Sequence, residues 1–404
     1  MIKTRYLYII FKNFLWPIFY VLKNIVPKGP VIVLHTYNRN VFRENTRYLC
    51  EYLAKKEELS VYWVTDNDVV KSHLKSIGIN YISMANPLKM LWVLLRTKVV
   101  VDSGDRYINL FGICDNRKTK RISTLHGCGP KVSFSREDNI MVAVNQILHA
   151  NKFDYVNFPS RYAVNWIGKR IYLLPNSKII SLGYPRCDMY FDRQLVDQRL
   201  KAKPIARSFV PRLDKSSQVI LYTPTWRPYD YAFPLEKMFC EDGEGFNEWL
   251  KEKDLYLFYT VHSAALPTGN LSSFDRVVYI DSDSNPLFDI NEFLLEVDIL
   301  LNDYSTTSTD FSLLGRPQIF YMSDYEYYSS EKGFVEEYRA LLTGCEVANF
   351  QQLTEVVSEI MLDPREYNAR FEQKRQELLN KYYDFPEGDS VEQFYEFISN
   401  LIKH

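Results

Sequence analysis

Five short stretches of this 404-residue chain carry side chains that hold anions or move protons. His126-Gly127-Cys128-Gly129-Pro130-Lys131 sets an imidazole beside two glycines, with an ammonium group close behind. Gly183-Tyr184-Pro185-Arg186 is a tight turn presenting a guanidinium, and Thr223-Pro224-Thr225-Trp226-Arg227 joins hydroxyls to a second one. Thr260-Val261-His262 pairs a hydroxyl with a second imidazole. Tyr304, Ser305, Thr306 and Thr307 form a hydroxyl-rich turn, with Asp310 following. Two histidines, two arginines, a lysine and several hydroxyls, with few carboxylates, suit a phosphate or diphosphate ligand. A glycine beside a histidine lets a ligand approach backbone and imidazole together. An imidazole titrating near neutrality can take a proton from an attacking hydroxyl. Plainer roles fit the same residues: Ser305 and Thr306 as helix caps, His126 as the surface of a turn.

The elements that position these groups follow a regular alternation. Strands are predicted at Val31–Leu34, Val61–Val64, Val99–Val101, Ile122–Leu125 and Ile179–Leu182, and then at Val219–Tyr222, Leu255–Tyr259, Val277–Ile280, Ile299–Leu301 and Gln318–Met322. Helices are predicted at Glu44–Lys55, Asp68–Ile77, Pro87–Leu95, Glu137–His149 and Ser160–Ile167, with a helical tail from Pro364 to His404 broken near Phe385–Gly388. Strands separated by helices make parallel, doubly wound sheets, so the fold class is α/β. The polar stretch Lys201–Ser217, with Pro204 and Pro211, reads as a linker. Two such domains in tandem bind ligands in the crevice outside the carboxyl ends of their strands. Every chemical stretch above follows a predicted strand. The most ordered unit is Asp298–Tyr321, DILLNDYSTTSTDFSLLGRPQIFY, which reads as strand, turn, short helix, glycine stop and strand. Its turn opens a helix where backbone N–H groups and hydroxyls favour an anion.

Composition narrows the classes. Two domains are the prior for this length, and a net charge of −1 offers no electrostatic case for nucleic acid. Six scattered cysteines without a CxxC pair, and six histidines without ligand spacing, point to a reducing compartment and away from a metal site. The amino terminus differs from the rest. It is aromatic and basic, with Lys3, Arg5, Lys12, Lys23 and Lys28, and its first acidic residue is Glu44. Lys12, Asn13 and Pro17 interrupt it, so it suits the interface of an anionic membrane better than a span. An amphipathic helix packed on the first domain is the other reading.

Taken together, LYTPTWR (Leu221–Arg227), GYPR.D (Gly183–Asp188), HG...K (His126–Lys131), the Asp298–Tyr321 unit and YYDFPEGDS in the tail resemble the CDP-glycerol glycerophosphotransferases and their CDP-ribitol relatives, which build teichoic acids and teichoic-acid-like capsules. The resemblance runs from about Asn38 into the tail. It implies a GT-B-like fold of two Rossmann-like domains facing a cleft, with CDP-glycerol or CDP-ribitol as donor and no cofactor. It also implies attachment to the cytoplasmic face of the membrane, where a lipid-linked or polymer acceptor is found. On the matching positions His126 is the general base, with Gly127, Cys128, Gly129 and Lys131 beside it. Arg186, Pro224, Thr225, His262, Ser305, Thr306 and Asp310 fall on the donor-binding positions, where Arg186 and His262 can offset the charge on the transferring phosphoryl group and leaving CMP; Arg227 and Thr260, in the same loops, are expected to serve the substrate with them. For Asp310, accepting a ligand hydroxyl and orienting its loop are equally open. Where these enzymes usually have threonine after the first glycine, this chain has Cys128, and Thr260 stands where arginine is frequent.

The expected organisation is therefore a membrane-associating segment (1–28), an acceptor domain (29–205) and a donor-binding domain (217–404). The expected reaction transfers a polyol phosphate to a hydroxyl and releases CMP. A nucleotide-sugar glycosyltransferase, or a non-catalytic scaffold keeping the cleft, are the alternatives.

Overall fold

The computed structural model describes residues 16–36, 38–104, 112–114, 116–127, 129, 140–225, 227, 234–260, 274–331, 333–334, 336–384 and 387–403. Within them the aliphatic runs become two parallel sheets. The first contains β1 (Val31–His35), β2 (Ser60–Val64), β3 (Asn80–Ile82), β4 (Thr97–Asp102), β5 (Lys120–Ser123), β6 (Tyr155–Asn157) and β7 (Ile179–Ile180), in the order β3-β2-β1-β4-β5-β6-β7. The second contains β8 (Gln218–Thr223), β9 (Leu255–Tyr259), β10 (Val277–Tyr279), β11 (Ile299–Asn302), β12 (Gln318–Tyr321) and β13 (Cys345–Val347), in the order β10-β9-β8-β11-β12-β13. All five residues of β1, and all four of both β11 and β12, are buried, as strands covered on both faces must be. The order reverses between β1 and β4 and again between β8 and β11. Loops leaving the two strands at such a point diverge and open a crevice at their carboxyl ends. The α/β, doubly wound expectation holds.

The details differ where pairing overrides pattern. The three-residue strands β3, β6 and β13 were not expected, since each is too short and mixed to show a period; they exist by pairing with β2, β5 and β12. The run Ile122–Leu125 ends early, because Leu125 adopts a left-handed φ of 54°. The stretch Lys201–Ser217 is not a loose linker. Pro204–Phe209 is helical, and the amides of Ile205 and Ala206 donate to the buried Glu296 carboxylate at 2.8 and 2.9 Å. Lys203 Nζ donates to Ser217 O at 2.7 Å and to Asp298 at 2.6 Å.

One apolar cluster takes residues from around both sheets, including Leu125, Phe158 and Tyr184 together with Leu221, Phe258, Leu300 and Phe311. Polar ties reinforce it: Phe42 N donates to Pro286 O at 2.9 Å, Glu44 N to Asp289 at 2.8 Å, and Arg47 pairs with Glu292 at 3.0 Å. The tail forms the helices Pro364–Ala369, Glu372–Tyr382 and Ser390–Lys403. The last returns to the first sheet, where Phe394 and Ile398 pack with Ile32, Leu34 and Ile122.

At the amino end, residues 1–15 lie outside the described residues. Trp16–Ile25 is a helix, and Leu22 and Val26 pack against Val31, Val33 and Leu94. Lys23 is buried with Nζ donating to Gly112 O at 3.3 Å, and Lys28 Nζ donates to Leu95 O at 2.7 Å. These two lysines, expected to face lipid, instead reach the backbone carbonyls of Gly112 and Leu95. No described helix is long and apolar enough to cross a membrane.

Candidate active site

The loop carrying His126 is shaped by its neighbours. Ser123 Oγ donates to Gly104 O at 2.6 Å and accepts from Leu125 N at 3.2 Å. A left-handed leucine costs of order 1–3 kcal/mol, so the surroundings must hold it. Asn45 does so, its Nδ2 donating to Leu125 O at 2.9 Å. Its Oδ1 accepts from Arg186 N at 3.3 Å, tying the histidine loop to the arginine turn. His126 itself is exposed, immediately after this reversal.

The two glycines after His126 touch the second sheet. A Cβ built on Gly127 would lie 3.0 Å from Thr306 Oγ1 and 4.0 Å from Arg186 Nη2. On Gly129 it would lie 2.5 Å from Thr306 Cγ2, closer than real side chains approach. The glycines are there because Thr306, at the end of β11, occupies the space. The helix that follows, Thr307–Phe311, begins without a capping bond from Thr306. Ser305 Oγ lies 3.4 Å from Thr307 N, long for a hydrogen bond, and 3.0 Å from Thr307 Oγ1. A purely capping role for the two hydroxyls therefore finds little support.

Arg186 is buried beneath this contact. Its Nε and Nη2 both lie 2.9 Å from Asp310 Oδ2. Asp310 Oδ1 accepts from the Tyr383 hydroxyl and from Cys187 Sγ at 3.8 Å. Both carboxylate oxygens are thus engaged inside the fold, which favours the orienting role for Asp310. Burial alone would lower the Arg186 pKa, but Asp310 outweighs it and holds the guanidinium charged. Burial, then the same carboxylate, push the Tyr383 hydroxyl and the Cys187 thiol well up, so both stay protonated donors. Arg186 Nη1 is buried with no hydrogen-bond partner among the described residues.

On the other side of the β8/β11 switch point, Thr225 N donates to both oxygens of Asp303, at 2.9 and 3.0 Å. Arg227 was expected to serve the substrate. Instead it is buried, with Nη1 on Thr225 O (2.7 Å) and Asp303 (2.8 Å), and Nε and Nη2 on Asp324 (2.6 and 3.0 Å). Two carboxylates and a carbonyl drew it inward, so it braces the loop. Thr225 Oγ1 is buried without a partner among the described residues. Pro224 is buried beside it, and Thr260, half-buried at the end of β9, donates its amide to Tyr222 O at 3.3 Å.

His126, Gly127, Gly129, Arg186, Thr306 and Asp310 are thus brought together, with Ser305 adjoining and Pro224 and Thr225 across the switch point. Cys128, Lys131 and His262 lie outside the described residues. Residues that sequence reasoning left unused are Asn45, Asp303 and Tyr383. Asp303 and Tyr383 stand inside motifs already singled out, while no local signal marks Asn45.

This arrangement can be set beside known proteins. Residues 18–400 match the family model described as CDP-glycerol:poly(glycerophosphate) glycerophosphotransferase. The chain is 26% identical to the teichoic acid glycerol-phosphate primase of Bacillus subtilis, covering 100% of this chain and 98% of that protein. It is also 26% identical to a teichoic acid poly(glycerol phosphate) polymerase of Bacillus spizizenii, over 91% of each. Among solved structures it resembles the wall teichoic acid polymerase TagF, with a TM-score of 0.71 and 19% identity, covering 93% of this chain and 90% of that one. A UDP-GlcNAc 2-epimerase from Neisseria meningitidis shares the fold more loosely, with a TM-score of 0.57 at 14% identity over 93% of this chain and all of that one. The fold alone therefore does not choose the reaction; the family match, extending over both sheets and the loops between them, does. The chain belongs to the CDP-glycerol:poly(glycerophosphate) glycerophosphotransferase family.

Proposed function

We propose that the protein transfers glycerol phosphate, or ribitol phosphate, from its CDP-linked donor to a hydroxyl of a membrane-associated acceptor in teichoic acid or capsule polymer synthesis. The observation that carries this reading is the meeting of the His126 loop with Thr306 and Arg186 at Gly127. His126, the residue before that contact, is exposed, and in this reading the hydroxyl turn holds the donor's diphosphate.

In this reading the acceptor oxygen attacks the β-phosphorus of the donor and its proton passes to His126. The bond from the β-phosphorus to the oxygen bridging it to the α-phosphate breaks, and CMP leaves with that oxygen. Ser305, Thr306 and Thr225 hold the diphosphate by their hydroxyls. Arg186, fixed by Asp310, offsets the charge gathering on the transferring group. Arg227 and Asp303 keep the Thr225 loop in place. The residue ranges 29–205 and 217–404 serve as acceptor and donor domains.

Peripheral attachment to the cytoplasmic face of the membrane accompanies this reading. Support comes from the basic, aromatic amino terminus and from Val21 and Ile25, exposed on the Trp16–Ile25 helix. Leu88 and Trp92 are likewise exposed, on the Pro87–Arg96 helix.

The test is to incubate the protein with CDP-glycerol or CDP-ribitol and a lipid-linked acceptor. Release of CMP with a lengthened acceptor is the expected result. A nucleoside diphosphate released from a sugar donor would mark a glycosyltransferase, and binding without turnover would mark a scaffold.

A further inference from the structure

Four consecutive residues of the tail stitch the two sheets together beside the site. Lys381 and Tyr382 both reach Glu336, Tyr382 OH at 3.1 Å, and Tyr162 of the first domain donates to the same carboxylate at 2.9 Å. Asp384 accepts from Arg161 N at 2.8 Å, and its own amide donates to Pro159 O at 3.1 Å. Between these clasps Tyr383 turns the other way and donates its hydroxyl to Asp310.

We propose that Tyr383 is a positioning residue for phosphoryl transfer, acting through Asp310 on Arg186. This rests on the reading of the cleft as the site of transfer from a CDP-linked polyol phosphate. Asp310 gives one oxygen, Oδ2, to both Arg186 Nε and Nη2, so the orientation of the carboxylate sets the orientation of the guanidinium. The other oxygen has two donors, Tyr383 O–H and Cys187 S–H. A hydroxyl on a carboxylate is a strong, charge-assisted bond, whereas a thiol is a weak donor. Rotation about the terminal torsion of an aspartate is soft, so without the phenol the carboxylate is free to turn. Arg186 would turn with it, and its Nη1, which has no hydrogen-bond partner among the described residues, would lose its aim. Misplacing a group that contacts the reacting phosphoryl by about 1 Å costs up to roughly a hundredfold in rate.

The test compares Tyr383→Phe with Tyr382→Phe, which removes a hydroxyl from the neighbouring clasp at Glu336. Tyr383→Phe is expected to lower kcat tenfold or more, with the KM for CDP-glycerol within threefold of the parent. Tyr382→Phe is expected to keep kcat within twofold. In an Asp310→Asn background, Tyr383→Phe should add no further loss, since both changes act on one unit. Equal losses in the two tyrosine variants would make Tyr383 a clasp only and overturn the proposal, as would full activity in Tyr383→Phe. If Tyr383→Phe does not fold, 3,5-difluorotyrosine at position 383 keeps the shape and alters the donor; turnover unchanged from the parent then overturns the proposal. A second readout needs no turnover: the Arg186 Nε–H resonance in arginine-labelled protein should shift in Tyr383→Phe and stay put in Tyr382→Phe. Should the parent release no CMP, the reading of the cleft fails, and this resonance still decides whether Tyr383 positions Arg186.

Discussion

Thr306 and Gly129 come from different sheets, yet Thr306 Cγ2 lies 2.5 Å from where a side chain on Gly129 would start. The histidine loop and the hydroxyl turn are therefore fitted to each other at the level of a single methyl group. Gly129→Ala is expected to displace one of them, because a β-branched threonine cannot swing away. Turnover should fall at least tenfold. Thr306→Ser removes that methyl and keeps the hydroxyl, so Gly129→Ala in a Thr306→Ser background should recover most of the loss. Steady-state rates of the single and double variants check this; no recovery would place the damage elsewhere.

His126→Ala is expected to lower turnover by roughly two to four orders of magnitude while leaving CDP affinity within a few fold. The residue is exposed, so its loss is expected to leave the fold intact. Single-turnover rates with calorimetric CDP titrations separate the two effects. A weaker affinity with normal turnover would make His126 a binding group.

Arg227→Gln tests whether this buried arginine braces its loop or serves the substrate. Removing one member of a buried, paired set leaves charge uncompensated, at a cost of about 3–5 kcal/mol. Burial opposes the charge on Arg227, but Asp303 and Asp324 outweigh it and hold its pKa above the ordinary value. The variant should therefore show a lowered urea midpoint, and not a selective loss of CDP binding in a stable protein. Unchanged stability with lost affinity would return Arg227 to the substrate.

Stability should depend on pH through two buried groups of opposite sign. Burial lowers the pKa of His35, which lies 3.6 Å from Asp102, from 6.5 to about 4. Between those values the unfolded chain binds a proton that the folded one does not. The contribution of His35 is full above pH 6.5 and is lost as pH falls towards 4, by ~3 kcal/mol. Burial raises Asp188 from 3.8 to about 6, against the amides of Ser390 and Val391 that donate to it. Its contribution is full below pH 3.8 and is lost as pH rises through 6. Urea midpoints from pH 4 to 6.5 should fall more steeply on acidification in Asp188→Asn than in the parent, and less steeply in His35→Gln. Parallel profiles in all three proteins would remove both groups from the balance.

The sequence by itself determined the class of fold and the loops that carry chemistry. Aliphatic runs such as Val31–Leu34 and Leu255–Tyr259 can be buried on both faces only in a covered parallel sheet. The chemical groups follow those runs because loops at strand ends are where a parallel sheet leaves room for a ligand. Tertiary structure decided which of those groups remain available. Arg186 and Arg227 look alike in sequence, each an arginine in a proline-containing turn after a strand. Arg227 meets Asp303 and Asp324, whose spacing along the chain says nothing of their convergence, and becomes a brace. Arg186 meets Asp310, and Tyr383 completes that carboxylate from 73 residues further on. The left-handed turn at Leu125 depends on Asn45, 80 residues earlier, and the last residues of the predicted strand carry no mark of it. Strand positions are encoded locally, in the period and burial of neighbouring side chains. The partner of a buried charge is chosen only when distant loops close on one another, and its desolvation then admits very few arrangements.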